Sequence, residues 1–149
     1  MLVRDYMTTS VTTLKDDACL LDAALLIRRT GKRHVPILSA KDGKVVGIVS
    51  DRDVSRLAPS MLTQQNEEEY NQIFENTPIT TGMTRNPICV RPDAPVAEAV
   101  QTLYAKKVSG LLVVEDGALK GIITVTDMLN LLNEMLAGGH SADGGPSGD

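Results

Sequence analysis

Residues 7–29, MTTSVTTLKDDACLLDAALLIRR, return as residues 83–105, MTRNPICVRPDAPVAEAVQTLYA, and residues 41–54, KDGKVVGIVSDRDV, return as residues 115–128, EDGALKGIITVTDM. The first pair is offset by 76 positions and the second by 74, so the later copy has lost two residues in a turn. Identities between the copies fall at Met-Thr, Asp-Ala, Asp-Gly, Gly-Ile and a closing Asp, where backbone or chemistry is demanding. A period this long, present twice, implies two pseudo-symmetric halves packed together rather than an open solenoid.

Within each copy the periodicity reads β-α-β-β-α, which places the chain in the α+β class. In the first copy a short strand spans residues 11–14, and Asp16 or Asp17 is expected to cap a helix carrying Leu21, Ala24, Leu25 and Arg28 and ending at Gly31. Strands over 35–38 and 45–49 flank Asp42-Gly43, a hairpin signal, and a second helix opens near Asp51. The second copy repeats this with Asp93 as cap, Pro95 in the first helical turn, strands over 111–114 and 119–123 around Asp116-Gly117, and a last helix through Leu136. These strands are almost continuously apolar, as in sheets covered by helices. Between the copies, Asn66 and Glu69 form a capping-box-like start, and Tyr70, Ile73 and Phe74 share one face, which predicts a short docked linker helix. The boundaries expected are 1–58 for the first repeat, 59–78 for the linker, 79–137 for the second repeat, and 138–149 for a disordered tail with too little apolar surface to offset its ordering entropy.

Fifteen basic against 19 acidic side chains give a net charge of −4, and the only aromatics are Tyr6, Tyr70, Phe74 and Tyr104. Without a basic stripe or stacking platforms, the balance argues against nucleic-acid binding. No apolar run reaches membrane-spanning length, and MLVRDYMTTS lacks an apolar signal core, so the expectation is a cytoplasmic protein with no membrane partner. Cys19 and Cys89 stand far apart, without a C-x-x-C or a nearby histidine, and read as small core residues; neither a disulfide framework nor a metal site is indicated.

Chemistry concentrates at the end of each copy's last strand: Gly47-Ile48-Val49-Ser50-Asp51-Arg52-Asp53 and Gly121-Ile122-Ile123-Thr124-Val125-Thr126-Asp127. Ser or Thr followed three residues later by an acid is an ordinary helix N-terminus signal. Its recurrence after the same Gly-Ile supports a second reading. A strand entering a helix at Ser50 aims free N–H groups and a hydroxyl at one point, which suits a phosphate. One turn on, the Asp53 carboxylate can accept two hydrogen bonds from a vicinal diol, as in dinucleotide-binding folds. Phosphate and ribose together imply a nucleotide.

The duplicated unit, Val35-Pro36-Ile37 before the hairpin, and the paired Gly-aliphatic-aliphatic-Ser/Thr-x-x-Asp motifs resemble a tandem pair of CBS (cystathionine β-synthase) domains, a Bateman module, over residues 1–136. With LVRDYM and the acidic inter-repeat segment, the chain is most similar to small stand-alone bacterial proteins of the acetoin-utilisation B-like group. The resemblance implies two β-α-β-β-α repeats packed with pseudo-two-fold symmetry, and regulatory binding of AMP, ADP or ATP in clefts between them, with S-adenosylmethionine or NAD as alternatives. No cofactor is required and no catalytic residue is implied. Carried over, Asp53 and Asp127 would hold ribose hydroxyls, Ser50 and Thr124 would contact phosphate, and backbone at Val35, Pro36 and Ile37 and at Leu111, Leu112 and Val113 would read the adenine edge. Thr13 and Thr84 would border the pocket. Arg52 stands beside the first phosphate position, whereas the second copy has Thr126 there and Leu112 in place of proline, which ranks the first site higher for a phosphorylated ligand.

Lys32, Arg33 and His34 read as a solvated helix C-terminus, with contact to a polyphosphate as the alternative. The methionines, Met128 and Met135 among them, read as core and interface filler. Met128, Leu131, Leu132 and Met135 form one stripe of the last helix while Leu129 and Leu136 point elsewhere, an apolar arc wider than one sheet can bury. That surplus predicts a two-fold homodimer, in keeping with the four-repeat disc of the family. The competing readings are a ligand-free interaction scaffold, with both aspartates acting only as caps and an unidentified protein as partner, and, with less support, an enzyme.

Overall fold

A computed structural model describes the chain over residues 1–62 and 67–142. In chain order its elements are α1 (Val3–Tyr6), β1 (Leu14–Lys15), α2 (Leu20–Thr30), β2 (His34–Leu38), β3 (Val45–Ser50), α3 (Asp51–Leu62), α4 (Glu67–Glu75), α5 (Ile79–Gly82), β4 (Thr84–Arg85), β5 (Cys89–Val90), α6 (Val96–Lys106), β6 (Gly110–Glu115), β7 (Ala118–Thr124) and α7 (Val125–Ala142). The α+β reading and its doubled β-α-β-β-α order stand. Two compact units result: Ser10–Ile88 with Asp116–Leu119, and Met1–Thr9 with Cys89–Glu115 and the chain from Lys120 onward.

The units do not follow the sequence repeats. The first holds a sheet in the order β1-β2-β3-β4, whose last strand belongs to the second copy: β4 runs antiparallel to β3, with Gly47 opposite Arg85 and Ile48 opposite Thr84. In the second unit Thr8, from the first copy, exchanges two backbone hydrogen bonds with Ile122, at 2.8 and 2.9 Å. Glycine permits both approaches. A Cβ on Gly47 would lie 2.6 Å from Sδ of Met83 and 2.9 Å from the Thr84 carbonyl oxygen, and one on Gly121 would lie 2.7 Å from the Thr8 carbonyl and 2.9 Å from Sδ of Met7. The repeated Met-Thr and Gly-Ile identities are thus the two sides of one contact, made once in each unit. The segments 1–9 and 83–88 therefore trade places relative to the boundaries expected from the repeat alone.

In the first unit β2 is the central, doubly covered strand, with Val35, Pro36 and Ile37 fully buried. Ala23 of α2, Val49 of β3, Ile79 of α5 and Met83 close around them. Beside this core, Tyr70 and Phe74 of α4 stack with ring centres 4.4 Å apart and pack on Leu20, with half-buried Ile73 at the margin. The linker helix thus docks by the face expected of it, although Asn66 lies outside the described residues and α3 runs to Leu62, past the boundary drawn at 58. In the second unit Leu111, Leu112, Val113 and Ile123 form the buried strand centre, and Val96, Ala99 and Leu103 of α6 supply the helical side. The α1 turn is pinned there by Val3 N–H to the Ala94 carbonyl at 2.8 Å and Arg4 N–H to the Pro92 carbonyl at 2.9 Å.

Local details correct several expectations. The caps are Cys19 and Pro95, not Asp16, Asp17 or Asp93. Asp22, three residues into α2, closes on the Cys19 N–H at 3.2 Å, freeing Asp16 to accept the Ala40 N–H at 3.0 Å. Asp93 instead meets Arg91 at 3.1 Å, a hydrogen bond that holds its carboxyl below the usual carboxylate range. Gly31 ends α2 with φ of 73°, and its counterpart at the end of α6 is Lys107, in the same left-handed conformation with φ of 55°. Asp116 and Gly117 both have positive φ, 53° and 82°, giving the two-residue turn that suits strand twist. The first hairpin needs a four-residue loop, 40–43, closed by Ser39 N–H to the Lys44 carbonyl at 2.7 Å, and this difference accounts for the two missing residues. Cys89 is exposed on edge strand β5 and Cys19 half-buried at a helix start, so neither is a core residue. Helix α7 continues to Ala142, past the tail boundary at 138, and residues 143–149 lie outside the described part. No helix among the described residues is long and apolar enough to cross a membrane.

Candidate functional site

Each unit carries one copy of the same hydroxyl–carboxylate clasp where its last strand becomes a helix. At the β3–α3 junction, Asp53 Oδ2 accepts hydrogen bonds from Ser50 N–H at 2.8 Å and Ser50 Oγ at 3.0 Å, while Asp53 N–H returns to Ser50 Oγ at 3.1 Å. At the β7–α7 junction, Asp127 Oδ2 accepts from Thr124 N–H at 2.9 Å and Oγ1 at 3.1 Å, and Asp127 N–H returns to Thr124 Oγ1 at 3.2 Å. Both are reciprocal capping boxes, with the acid at N3 reaching back to the residue before the helix. The hydroxyl has one proton to donate. A phosphate contact from Ser50 or Thr124 therefore requires Oγ–H to leave the aspartate.

The second carboxylate oxygen distinguishes the copies. Thr84 Oγ1 lies 3.4 Å from Asp53 Oδ1, and Thr8 Oγ1 lies 3.0 Å from Asp127 Oδ1, again with the threonine supplied by the exchanged segment. Asp53 Oδ1 also receives Arg56 Nη2 at 2.7 Å, in a pair whose carboxylate side chain is 6% exposed and whose guanidinium side chain is 65% exposed. The residue corresponding to Arg56 in α7 is Asn130, whose amide donates to Glu134 at 3.3 Å. Asp127 is half-buried, where Asp53 is the one buried charged residue of the described core.

Strand β2 runs alongside the first clasp, with His34 opposite Ser50, Val35 opposite Val49 and Pro36 opposite Ile48. The Asp51 N–H to Arg33 carbonyl bond, at 3.0 Å, sets an alternation that turns the backbone groups of Val35 and Ile37 towards β3 and those of His34 and Pro36 to the opposite edge. On that edge β1 pairs only with Ile37 and Leu38, whereas in the other unit Cys89 and Val90 pair with Leu112 and Val113. Thr13, the counterpart of Cys89, faces the position of Pro36, which has no N–H to give, so the ladder begins one residue later. The Pro36 carbonyl itself is taken up by the ladder, because the Leu14–Ile37 register joins it to the Leu14 N–H. Side chains of Val35, Ile37 and Leu111–Val113 are core, so only their backbone can serve a ligand.

The remaining candidates are less closely gathered. Arg52 is exposed in the first turn of α3 and Thr126 is exposed in the first turn of α7. Lys32 Nζ donates to the Ser10 carbonyl at 2.6 Å, and Arg33 faces Asp51 at 3.8 Å. Burial pushes the His34 imidazole below its ordinary value against the opposing pull of Asp51. Among the described residues no group of three His, Cys, Asp or Glu side chains is placed to hold a metal. Sequence reasoning missed Thr8 and Arg56. Thr8 was available from the 76-residue offset of Thr84, whereas Arg56 has no counterpart in the second copy to mark it.

A family model described as CBS domain matches residues 3–60 and 78–134. A CBS domain-containing protein of Dictyostelium discoideum is 28% identical over 91% of this chain and 94% of its own length. The chain spans only 24% of a homoserine O-acetyltransferase of Methanohalobium evestigatum, at 29% identity. Among solved structures, a Vibrio cholerae protein assigned to acetoin utilization (AcuB) superposes with a TM-score of 0.75 at 29% identity, covering 98% of both chains. The domain pair of protein MJ0100, solved in complex with 5′-methylthioadenosine and S-adenosyl-L-methionine, superposes with a TM-score of 0.73 at 27% identity, covering 89% of this chain and 96% of that one.

Proposed function

The chain belongs to the CBS domain family, as a tandem pair, and from that premise we propose that it is a cytoplasmic, non-enzymatic sensor that binds an adenosine-containing nucleotide of the AMP, ADP or ATP class. The observation that carries this reading is the doubled clasp, Ser50–Asp53–Thr84 and Thr124–Asp127–Thr8. Each sets a carboxylate oxygen where a ribose diol can donate to it, at the junction where the last strand of its unit becomes a helix. The two adenosyl ligands in the MJ0100 structure support the ligand class. Scarce aromatics leave aliphatic walls and backbone hydrogen bonds to hold adenine. Ligand then acts by linkage, favouring whichever conformation it binds more tightly.

Calorimetry and thermal unfolding with AMP, ADP, ATP, S-adenosylmethionine and NAD test it. A ligand at a hundred times its Kd stabilises the fold by roughly 2.7 kcal/mol. No heat and no shift with any of the five, or undiminished binding in the double variant Asp53→Ala, Asp127→Ala, removes the reading. One observation favours the scaffold alternative: both aspartates are already engaged as caps. It is the reading left standing if the five ligands fail while both single variants lose stability.

The same proposal includes a two-fold homodimer through the outer face of α6 and α7. A groove of about 400 Å³ there is lined by residues including Val100, Tyr104, Val125, Leu129, Leu132 and Met135. Tyr104 is 80% and Leu129 59% exposed. Among the described residues no charged side chain lines the groove, on a chain of net charge −4, so a second copy can meet it without like-charge repulsion. Sedimentation of the protein and of Leu132→Glu distinguishes dimer from monomer, and a monomeric parent at micromolar concentration removes this part.

A further inference from the structure

We infer that Arg56 is a built-in competitor for the ribose diol, so that the first clasp must exchange an internal ion pair for its ligand while the second need not. This rests on the nucleotide reading above. Asp53 has four lone-pair positions on its two oxygens. Oδ2 is filled by the Ser50 N–H and Oγ–H, and Oδ1 by Arg56 at 2.7 Å and by Thr84 at 3.4 Å. A vicinal diol that donates both hydroxyls to Oδ1 needs both positions, and so displaces the guanidinium at 2.7 Å as well as the weakly held Thr84 hydroxyl at 3.4 Å. On Asp127, Oδ1 carries the Thr8 hydroxyl at 3.0 Å, and Asn130, at the place of Arg56, turns its amide to Glu134.

Two consequences follow from the geometry. An uncharged adenosyl compound, with no phosphate to recruit the displaced guanidinium, favours the second clasp. A phosphorylated one offers the released Arg56 a new anion and recovers part of the loss. Arg56 is thus a specificity-determining residue that tilts the first site towards anionic ligands, through the carboxylate it guards. With its guanidinium 65% exposed, the pair is of the modest surface kind, and its removal is worth about five-fold in affinity for an uncharged nucleoside.

The test is an amide-resolved NMR titration with adenosine, following Ser50 and Thr124 as separate reporters of the two clasps. In Arg56→Asn the Ser50 midpoint falls about five-fold and the Thr124 midpoint stays where it was, and Arg56→Gln behaves alike. In Asn130→Arg the Thr124 midpoint rises. With 2′,3′-dideoxyadenosine, which brings no diol to Oδ1, Arg56→Asn changes nothing. A Ser50 midpoint that is unchanged or raised in Arg56→Asn, or an equal gain for the dideoxy compound, overturns the inference and leaves the nucleotide reading intact. Absence of any adenosine-dependent shift at both reporters in every variant overturns the two together.

Discussion

Replacing Asp53 by alanine, without ligand, separates the two caps. Asp53 is 4% exposed and accepts four hydrogen bonds, from Ser50 twice and from Arg56 and Thr84. Loss of a helix cap costs about 1 kcal/mol, and a part-buried N–H left without its acceptor, here that of Ser50, falls at the low end of about 1–3 kcal/mol. The two effects overlap at the same N–H, so the sum expected is about 2 kcal/mol, a fall in Tm of roughly 4–8 °C for a chain of this length. Asp127 is half-buried and has no cation partner among the described residues, so Asp127→Ala is expected to lose about 1 kcal/mol, close to the cap alone. Asp53→Asn keeps an acceptor for Ser50 and falls between. Urea and thermal unfolding of the four proteins measure the series. If Asp53→Ala loses no more than Asp127→Ala, then burial and the Arg56 contact contribute nothing, and the energetic reasoning is wrong.

Three further outcomes are expected. Lys107 ends α6 in the left-handed conformation at φ of 55°, where its counterpart is Gly31, so Lys107→Gly stabilises by about 1 kcal/mol in the same assays and Gly31→Ala destabilises by a similar amount. Gly47→Ala and Gly121→Ala place a Cβ within 3 Å of a backbone carbonyl and are expected to cost about 1–3 kcal/mol, with loss of amide protection at Thr84 and Thr8 respectively under hydrogen exchange. His34, held below its ordinary value near 6.5 chiefly by burial, stays neutral when the unfolded chain has taken up its proton. Stability therefore falls as pH drops from about 6.5 towards the folded value, and His34→Gln removes that step from a plot of Tm against pH.

The strand–helix junctions at Ser50 and Thr124, the α4 face of Tyr70, Ile73 and Phe74, and the Asp116-Gly117 turn were legible because each depends on neighbours a few residues away. Partners made by distant chain were not. Nothing local to Met7-Thr8 says that it pairs with Ile122 rather than with strands of its own copy, yet this pairing decides which threonine meets which aspartate. Asp16, Asp17 and Asp93 were misread as caps because acids before a helical stretch look alike, whereas the true start is set by where β1 and β5 release the chain. Cys89 was misplaced because a one-residue choice of strand face decides exposure at a sheet edge. Arg56 was invisible for the opposite reason: a basic residue one turn into an amphipathic helix carries no mark, and its importance comes only from the buried oxygen it reaches.

The exchanged segments also fix when the protein can become itself. On the ribosome, residues 1–9 emerge before the rest of their unit, and Thr8 must wait for Asp127, 119 residues later, to meet the carboxylate it donates to. The unit duplicated in the sequence is therefore not the unit that folds. Cutting the chain at the linker yields two pieces that each lack an edge segment and carry the other's.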